Sequence, residues 1–252
     1  MLFQTLLCAS SLVLVAARPY YTQPTSTWSS QAEWPSSTPI PASTPIPGGR
    51  SGYTFYQGDG STNSGWPPMS SWLAFEDMFN GVEAFILNSC MQFDVSNPSG
   101  QEANQLRDHV QQLSQQAGVD PRFSLAIIME ESGGCVRAPT TAGAVRNPGL
   151  MQSHNGDGTC NSDSVLNPCP EHQIIQMITD GVVGTNSGDG LGGILKQEGV
   201  DSQAFYKTAR IYNSGSVASS GNLEDGDAKH CYASNIANWL TGWSGMPKSC
   251  NY

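Results

Sequence analysis

The chain has 252 residues, 21 acidic against 11 basic side chains, a formal net charge of −10 and a charged fraction of only 13%. That balance argues against nucleic acid and anionic membranes as partners, because both are bound through a basic footprint, and against avid electrostatic adsorption to an anionic bacterial wall. A low charge content with many Gly, Ser and Asn residues fits a secreted protein.

The chain opens with MLFQTLLCASSLVLVAARPYY. The apolar run ends in Val15-Ala16-Ala17, small residues suited to signal peptidase, although no Lys or Arg precedes it. It is too short to span a bilayer, so residues 1–17 are expected to be a secretory signal. No later stretch is long and apolar enough to cross a membrane, and a secreted, extracellular, monomeric protein is expected.

Residues 18–69 form the next expected unit. They are dense in Pro, Ser, Thr and Gly and contain the near-repeat STPIPA at Ser37 and STPIPG at Ser43. Such a segment buries too little apolar surface to offset its ordering entropy, and is expected to be a disordered, O-glycosylated linker or stalk. Trp28, Trp34, Tyr53 and Tyr56 fall within it. Stacking on sugar rings is one reading of them, and scattered aromatics with no function is the plainer one.

From residue 70 to 252 a single, mainly α domain is expected. WLAFEDMFNGVEAFILNSCMQF places Trp72, Phe75, Phe79, Val82, Phe85 and Ile86 at helical spacing, which predicts one long amphipathic helix. GQEANQLRDHVQQLSQQAG is a second, with Leu106, Val110 and Leu113 inward. Asp120-Pro121 supplies an N-cap and a first-turn proline for RFSLAIIMEES, which Gly133-Gly134 ends. EHQIIQMITDGVVG, SQAFYKTARIY and CYASNIANWLTGW predict three more helices, and no alternation predicts strands.

Removal of Cys8 with the signal leaves Cys90, Cys135, Cys160, Cys169, Cys231 and Cys250. An even number in an oxidising compartment predicts three disulfides, with Cys160–Cys169 and Cys231–Cys250 the favoured local pairs. No Cys-x-x-Cys pair exists and the four histidines are scattered, so neither a metal nor another cofactor is expected.

Three stretches carry possible chemistry. In IIMEESGGCV, Glu130 and Glu131 both follow Ile127 at helical spacing, and phase favours Glu131 only slightly. A carboxyl in the last helical turn meets the negative end of the helix dipole, and partial burial also disfavours its charge. Both effects prepare a general acid; an ordinary solvated helix end is the rival reading. In NPGLMQSHNGDGTC, Gly149 permits close backbone approach to a ligand, Met151 an adaptable apolar contact and Gln152 a hydrogen-bonding head, while HNGDG is a turn exposing His154 and Asp157. A calcium loop is the less favoured alternative, because the spaced carboxylates of one are missing. In ARIYNSG, the Tyr212 hydroxyl could meet a catalytic carboxyl or a sugar, or the segment is simply a C-cap.

Taken in order, Glu-Ser-Gly-Gly, Gly-Leu-Met-Gln and Ala-x-x-Tyr-Asn-x-Gly resemble the soluble lytic transglycosylase and goose-type lysozyme superfamily, glycoside hydrolase family 23. The resemblance runs from about Val119 to Trp243, with ITDGVVG matching the family's middle helix and Tyr232 a tyrosine near its last helix. It implies a lysozyme-like helical fold in a secreted, fungal-type member. By this resemblance Glu131, the glutamate directly before Ser132, is the catalytic acid. It also implies that Gly149, Leu150, Met151 and Gln152 line the substrate groove, that Tyr212 stands beside the acid with Asn213 as its partner, and that Ser132, His154 and Tyr232 are further substrate-binding residues. Goose-type lysozymes carry an Asp two residues after the Gln, where this chain has His154; Asp157 is the candidate second carboxylate. Inverting hydrolysis needs such a group roughly 6.5–9.5 Å away. A transglycosylase needs none, because the sugar's own 6-hydroxyl attacks C1.

The sequence therefore predicts a muramidase-like enzyme acting on β-1,4-linked aminosugar polymers, peptidoglycan first and chitin second. A non-catalytic glycan-binding or effector protein and a wall protein anchored by its stalk are the alternatives. Glu130 is expected to face solvent or to tune its neighbour, and Cys135 to staple the rim on which the acid sits.

Overall fold

The computed structural model describes residues 52–243 and Cys250, and it is mainly helical with three disulfides. The expected signal, the stalk as far as residue 51, and Trp28 and Trp34 lie outside the described residues.

The long first helix is divided. α1 (Phe75–Ile86) stops at Leu87, and a separate 3-10 turn follows over Ser89–Phe93. The Asn88 side chain donates to Ala84 O at 2.8 Å and the Ser89 hydroxyl to Ile86 O at 2.7 Å. Short polar side chains thus take the carbonyls that further helical turns would need. α2 (Gly100–Ala117) opens with a capping box: Ser99 caps the Glu102 N–H, and Glu102 accepts the Ser99 N–H at 2.7 Å. Leu106 and Val110 face inward as expected, but Ser114 is fully buried where Leu113 is only half-buried. The Ser114 hydroxyl bonds Ser124 on the next helix at 2.8 Å, so this polar pair satisfies itself within the core.

That next helix is α3 (Pro121–Glu131), and every residue from Phe123 to Glu130 is buried. A helix apolar on all sides must lie inside the fold, and this one is covered by α1, α2 and the last helix. Asp120 caps it by accepting the Arg122 N–H at 2.9 Å, and Gly133 and Gly134 then take φ 64° and 81° to end it.

A short antiparallel hairpin follows, β1 (Thr141–Ala142) on β2 (Arg146–Asn147), with Thr141 opposite Asn147. No alternation announces it, because two residues per strand are too few to alternate. α4 (Glu171–Val182) is as expected, whereas α5 (Leu191–Glu198) was not foreseen. Its two glycines disguise it, yet a Cβ on Gly192 would stand 2.6 Å from Ala117 O, so the α2–α5 approach requires glycine there. α6 (Ser202–Ser214) and α7 (Tyr232–Leu240) complete the fold.

Residues 52–69, expected to continue the linker, pack on these helices instead. Thr54 pairs with Asn238 of α7 in both directions, at 2.8 and 2.7 Å, and the Tyr56 N–H donates to Ser234 Oγ at 3.0 Å. Tyr56 and Trp66 are buried, and the Trp66 ring lies 4.9 Å from that of Tyr206. The core of the domain thus begins well before residue 70. The aromatic rings supply here the apolar area that the surrounding Pro, Ser and Gly residues lack.

The disulfides are Cys160–Cys169 and Cys231–Cys250, the two favoured pairs, and Cys90–Cys135. The last ties the 3-10 turn after α1 to the loop leaving α3, so Cys135 does hold the rim at the end of the glutamate helix. A buried ion pair reinforces the same loop. Arg137 meets Glu102, donates to Leu166 O at 2.9 Å and to Asn167 Oδ1 at 2.9 Å, while Glu102 also accepts the Cys169 N–H at 2.8 Å. Among the described residues no helix is long and apolar enough to cross a membrane.

Candidate functional site

Glu131 is the last residue of α3, only partly shielded from solvent, and the Tyr232 hydroxyl donates to its Oε1 at 2.5 Å. Burial pushes its carboxyl up from 4.5 to about 7. The Tyr232 hydrogen bond and the Lys229 ammonium oppose that rise, and the Glu130 charge adds to it. A carboxyl so placed holds its proton near neutral pH and can give it to a developing oxyanion.

Ser132 explains why a serine follows the glutamate. It is buried, and its hydroxyl lies 2.8 Å from Leu150 O and 3.2 Å from Ile128 O while accepting the Gly134 N–H at 3.2 Å. One side chain thereby closes the helix end and ties it to the Gly149–Gln152 segment. Inside that segment the expected ligand-facing roles give way to structural ones. Gly149 has φ 73°, and a Cβ there would stand 2.5 Å from Met177 Sδ and 2.9 Å from Gly158 O, so its close approach is to other parts of the protein. Leu150 and Met151 are completely buried. Gln152 takes a left-handed φ of 46°, donates to Gly149 O at 2.9 Å and Pro139 O at 3.2 Å, and accepts from Thr141 Oγ1 at 2.9 Å. Its amide therefore holds the hairpin against the Gly149 turn.

Tyr212, near the end of α6, donates to Met151 O at 2.9 Å and lies 3.3 Å from Ser153 Oγ. Burial, then the negative charge of Glu131, hold its phenol protonated well above the usual tyrosine range. Tyr212 thus lies within the electrostatic reach of the acid, but the tyrosine bonded to the acid is Tyr232. Asn213 is not hydrogen-bonded to Tyr212; its Oδ1 is buried without a protein partner.

His154 and Asp157 are exposed on a turn. The Asp157 and Gly158 N–H groups both donate to Asp180 Oδ2 at 2.8 Å, and Gln176 Nε2 reaches Asp180 Oδ1 at 2.7 Å. Asp180 is a buried carboxylate that the sequence did not single out, and those three donors commit it to holding the turn. The charges that bear on Glu131 are those of Lys229 and Glu130.

Glu130 corrects an expectation directly. It does not face solvent: its carboxylate is buried, paired with Lys229, and accepts from Asn235 Nδ2 at 2.9 Å and Trp239 Nε1 at 3.3 Å. The alternative role, tuning its neighbour, agrees with the upward push it exerts on Glu131. Tyr232, Asn235 and Trp239 fall on one stripe of α7, so a single helix face serves both glutamates. The legible signal was a tyrosine, an asparagine and a tryptophan at helical spacing in an otherwise apolar segment. Nothing in the sequence tied Lys229 to them. Further out, the Tyr53 hydroxyl donates to Asn235 Oδ1 at 2.8 Å, and buried Arg210 holds the loop carrying Lys229 by donating to Lys229 O at 2.9 Å and Asp225 O at 2.7 Å.

Among the described residues no group of three or more His, Cys, Asp or Glu side chains could hold a metal ion. Comparison with protein-family models, with curated proteins and with solved structures returned no match.

Proposed function

We propose that this protein is a secreted glycan-cleaving enzyme with a lysozyme-like catalytic domain, acting on β-1,4-linked aminosugar polymers with Glu131 as general acid. Peptidoglycan is the first substrate to test and chitin the second. The observation that carries the reading is the Glu131 carboxyl: it lies at a rim, takes its hydrogen bond from Tyr232, and is held up to about 7 by burial. The three disulfides support an oxidising, extracellular setting.

In this reading Glu131 protonates the glycosidic oxygen as the C1–O bond breaks, and the oxocarbenium-like centre is then captured. The sugar's own 6-hydroxyl is one nucleophile, its proton returning to Glu131, and a water molecule activated by a second carboxylate such as Asp157 is the other. Mass spectrometry of digested peptidoglycan is the test. Anhydro-ended products from the wild type would mean the first route and products heavier by one water the second, with neither expected from Glu131→Gln. Equal digestion by both proteins would remove Glu131 from the chemistry. Binding to wall polymers without any soluble product would favour the non-catalytic reading.

A further inference from the structure

Among the described residues, the buried cluster around Glu130 is the one arrangement of charged groups at the site that the proposed reaction does not use. Glu130 and Glu131 are sequence neighbours at the end of α3, and Lys229 bears on both. The ammonium is held up by Glu130 and by Glu131, against the desolvation that opposes its charge. It is bonded to only one of them: Lys229 Nζ meets Glu130 Oε1, while Glu131 Oε1 takes the neutral Tyr232 phenol.

The other contacts fix that division. Asn235 and Trp239 hold the Glu130 carboxylate from the α7 face, and Tyr53 braces Asn235 from outside. Arg210 pins the backbone of Lys229, so the lysine approaches from a set direction. The titratable groups that face Glu131 are Tyr232 from α7, Tyr212 from α6, Lys229 from the loop before α7 and Glu130 from its own helix. The Gly149–Gln152 segment brings none. Of these groups only Lys229 carries a positive charge, and a cation paired directly with a carboxylate lowers its proton affinity by roughly one to three pH units.

We propose that Glu130 is a positioning residue that captures the Lys229 ammonium, keeping it off the Glu131 carboxyl and leaving Glu131 able to carry a proton. This rests on the reading of Glu131 as the acid, and it adds why two glutamates stand side by side. The pair works as a divider. One carboxylate is spent on the cation and the other is reserved for the neutral phenol. Glu130 touches no substrate in this account and acts only through Lys229 and through its own charge.

The two partners should move Glu131 in opposite directions. Glu130→Gln removes a negative neighbour and releases the ammonium toward Glu131, so the Glu131 titration midpoint should fall by roughly one pH unit. Lys229→Met leaves Glu130 without its counter-ion, so the same midpoint should rise. Lys229→Arg should restore it. The midpoints are to be read by carbon NMR of the Glu131 carboxyl in the full chain, which requires no substrate. Where a glycan assay is also available, the alkaline limb of activity should shift with them.

Unchanged midpoints in both variants would overturn the proposal, as would movement in the same direction. Should Glu130→Gln not fold, the Lys229→Met and Lys229→Arg pair decides alone, because the lysine side chain is half-exposed. If no wall polymer is cleaved by the wild type, the enzymatic reading fails while the titrations still decide the role of Glu130.

Discussion

Two carboxylates in this molecule, Glu102 and Glu131, sit among opposite kinds of partner. Glu102 is paired with a fully buried arginine and accepts three further hydrogen bonds, from the Ser99 N–H, the Ser99 hydroxyl and the Cys169 N–H. Glu131 takes one phenol and has its proton affinity raised. The difference shows how to read a carboxylate inside a fold. One whose acceptor sites are filled by charge and N–H groups is a brace, because ionisation is what those partners stabilise. One whose proton affinity is raised by burial, with no cation bonded to it, is a candidate for acid chemistry.

The largest effect should come from breaking the brace. Arg137→Met leaves the Glu102 charge buried without its cation and should cost about 3–5 kcal/mol, read as a lowered denaturant midpoint, with no change in the Glu131 titration. A second test uses pH. The folded-state proton affinity of Glu131 exceeds its ordinary value, so its contribution to stability is present below about 4.5 and is lost as pH rises through about 7. The loss amounts to roughly 3 kcal/mol. Glu131→Gln should escape it, so thermal melts of variant and wild type should diverge between those pH values, with the variant more stable above 7. Melts that stay parallel across that range would show that Glu131 is not the perturbed acid.

A smaller effect is expected at the join between the helix end and the following segment. Ser132→Ala strands the buried Leu150 carbonyl and should cost about 1–2 kcal/mol in chemical denaturation. The smallest belongs to Tyr232→Phe. Loss of that donor removes a contact worth about 1 kcal/mol that favours the charged carboxylate. The Glu131 midpoint, and with it the alkaline limb of any glycan-cleaving activity, should move upward. A downward move would place the hydrogen bond on the protonated form instead.

Much of the scaffold was readable because its signals are local. Asp120-Pro121 and Gly133-Gly134 mark both ends of α3 by capping chemistry alone, and the apolar run between them requires burial. The unforeseen parts depend on distant partners. α5 is hidden by Gly192, whose reason for being glycine is a carbonyl at the far end of α2. The structure joins Glu131 to Tyr232 and ties Ser132 to the Gly149–Gln152 segment, while Leu150, Met151 and Gln152 make their contacts within the protein. Glu130 departs from the solvent-facing alternative for a physical reason. Adjacent helical positions usually differ in exposure, but α3 is surrounded on every side, and the polar stripe that receives Glu130 lies a hundred residues away on α7.

The Tyr53 contact also fixes how far the chain can be shortened. The segment that braces α7 belongs to no helix and begins within two residues of Gly52. A cut after Thr54 would detach Tyr53 from Asn235 and Thr54 from Asn238. It would leave all three disulfides and every helix intact, yet loosen the face of α7 that holds both glutamates. The support of both glutamates thus rests in part on a length of chain outside every helix.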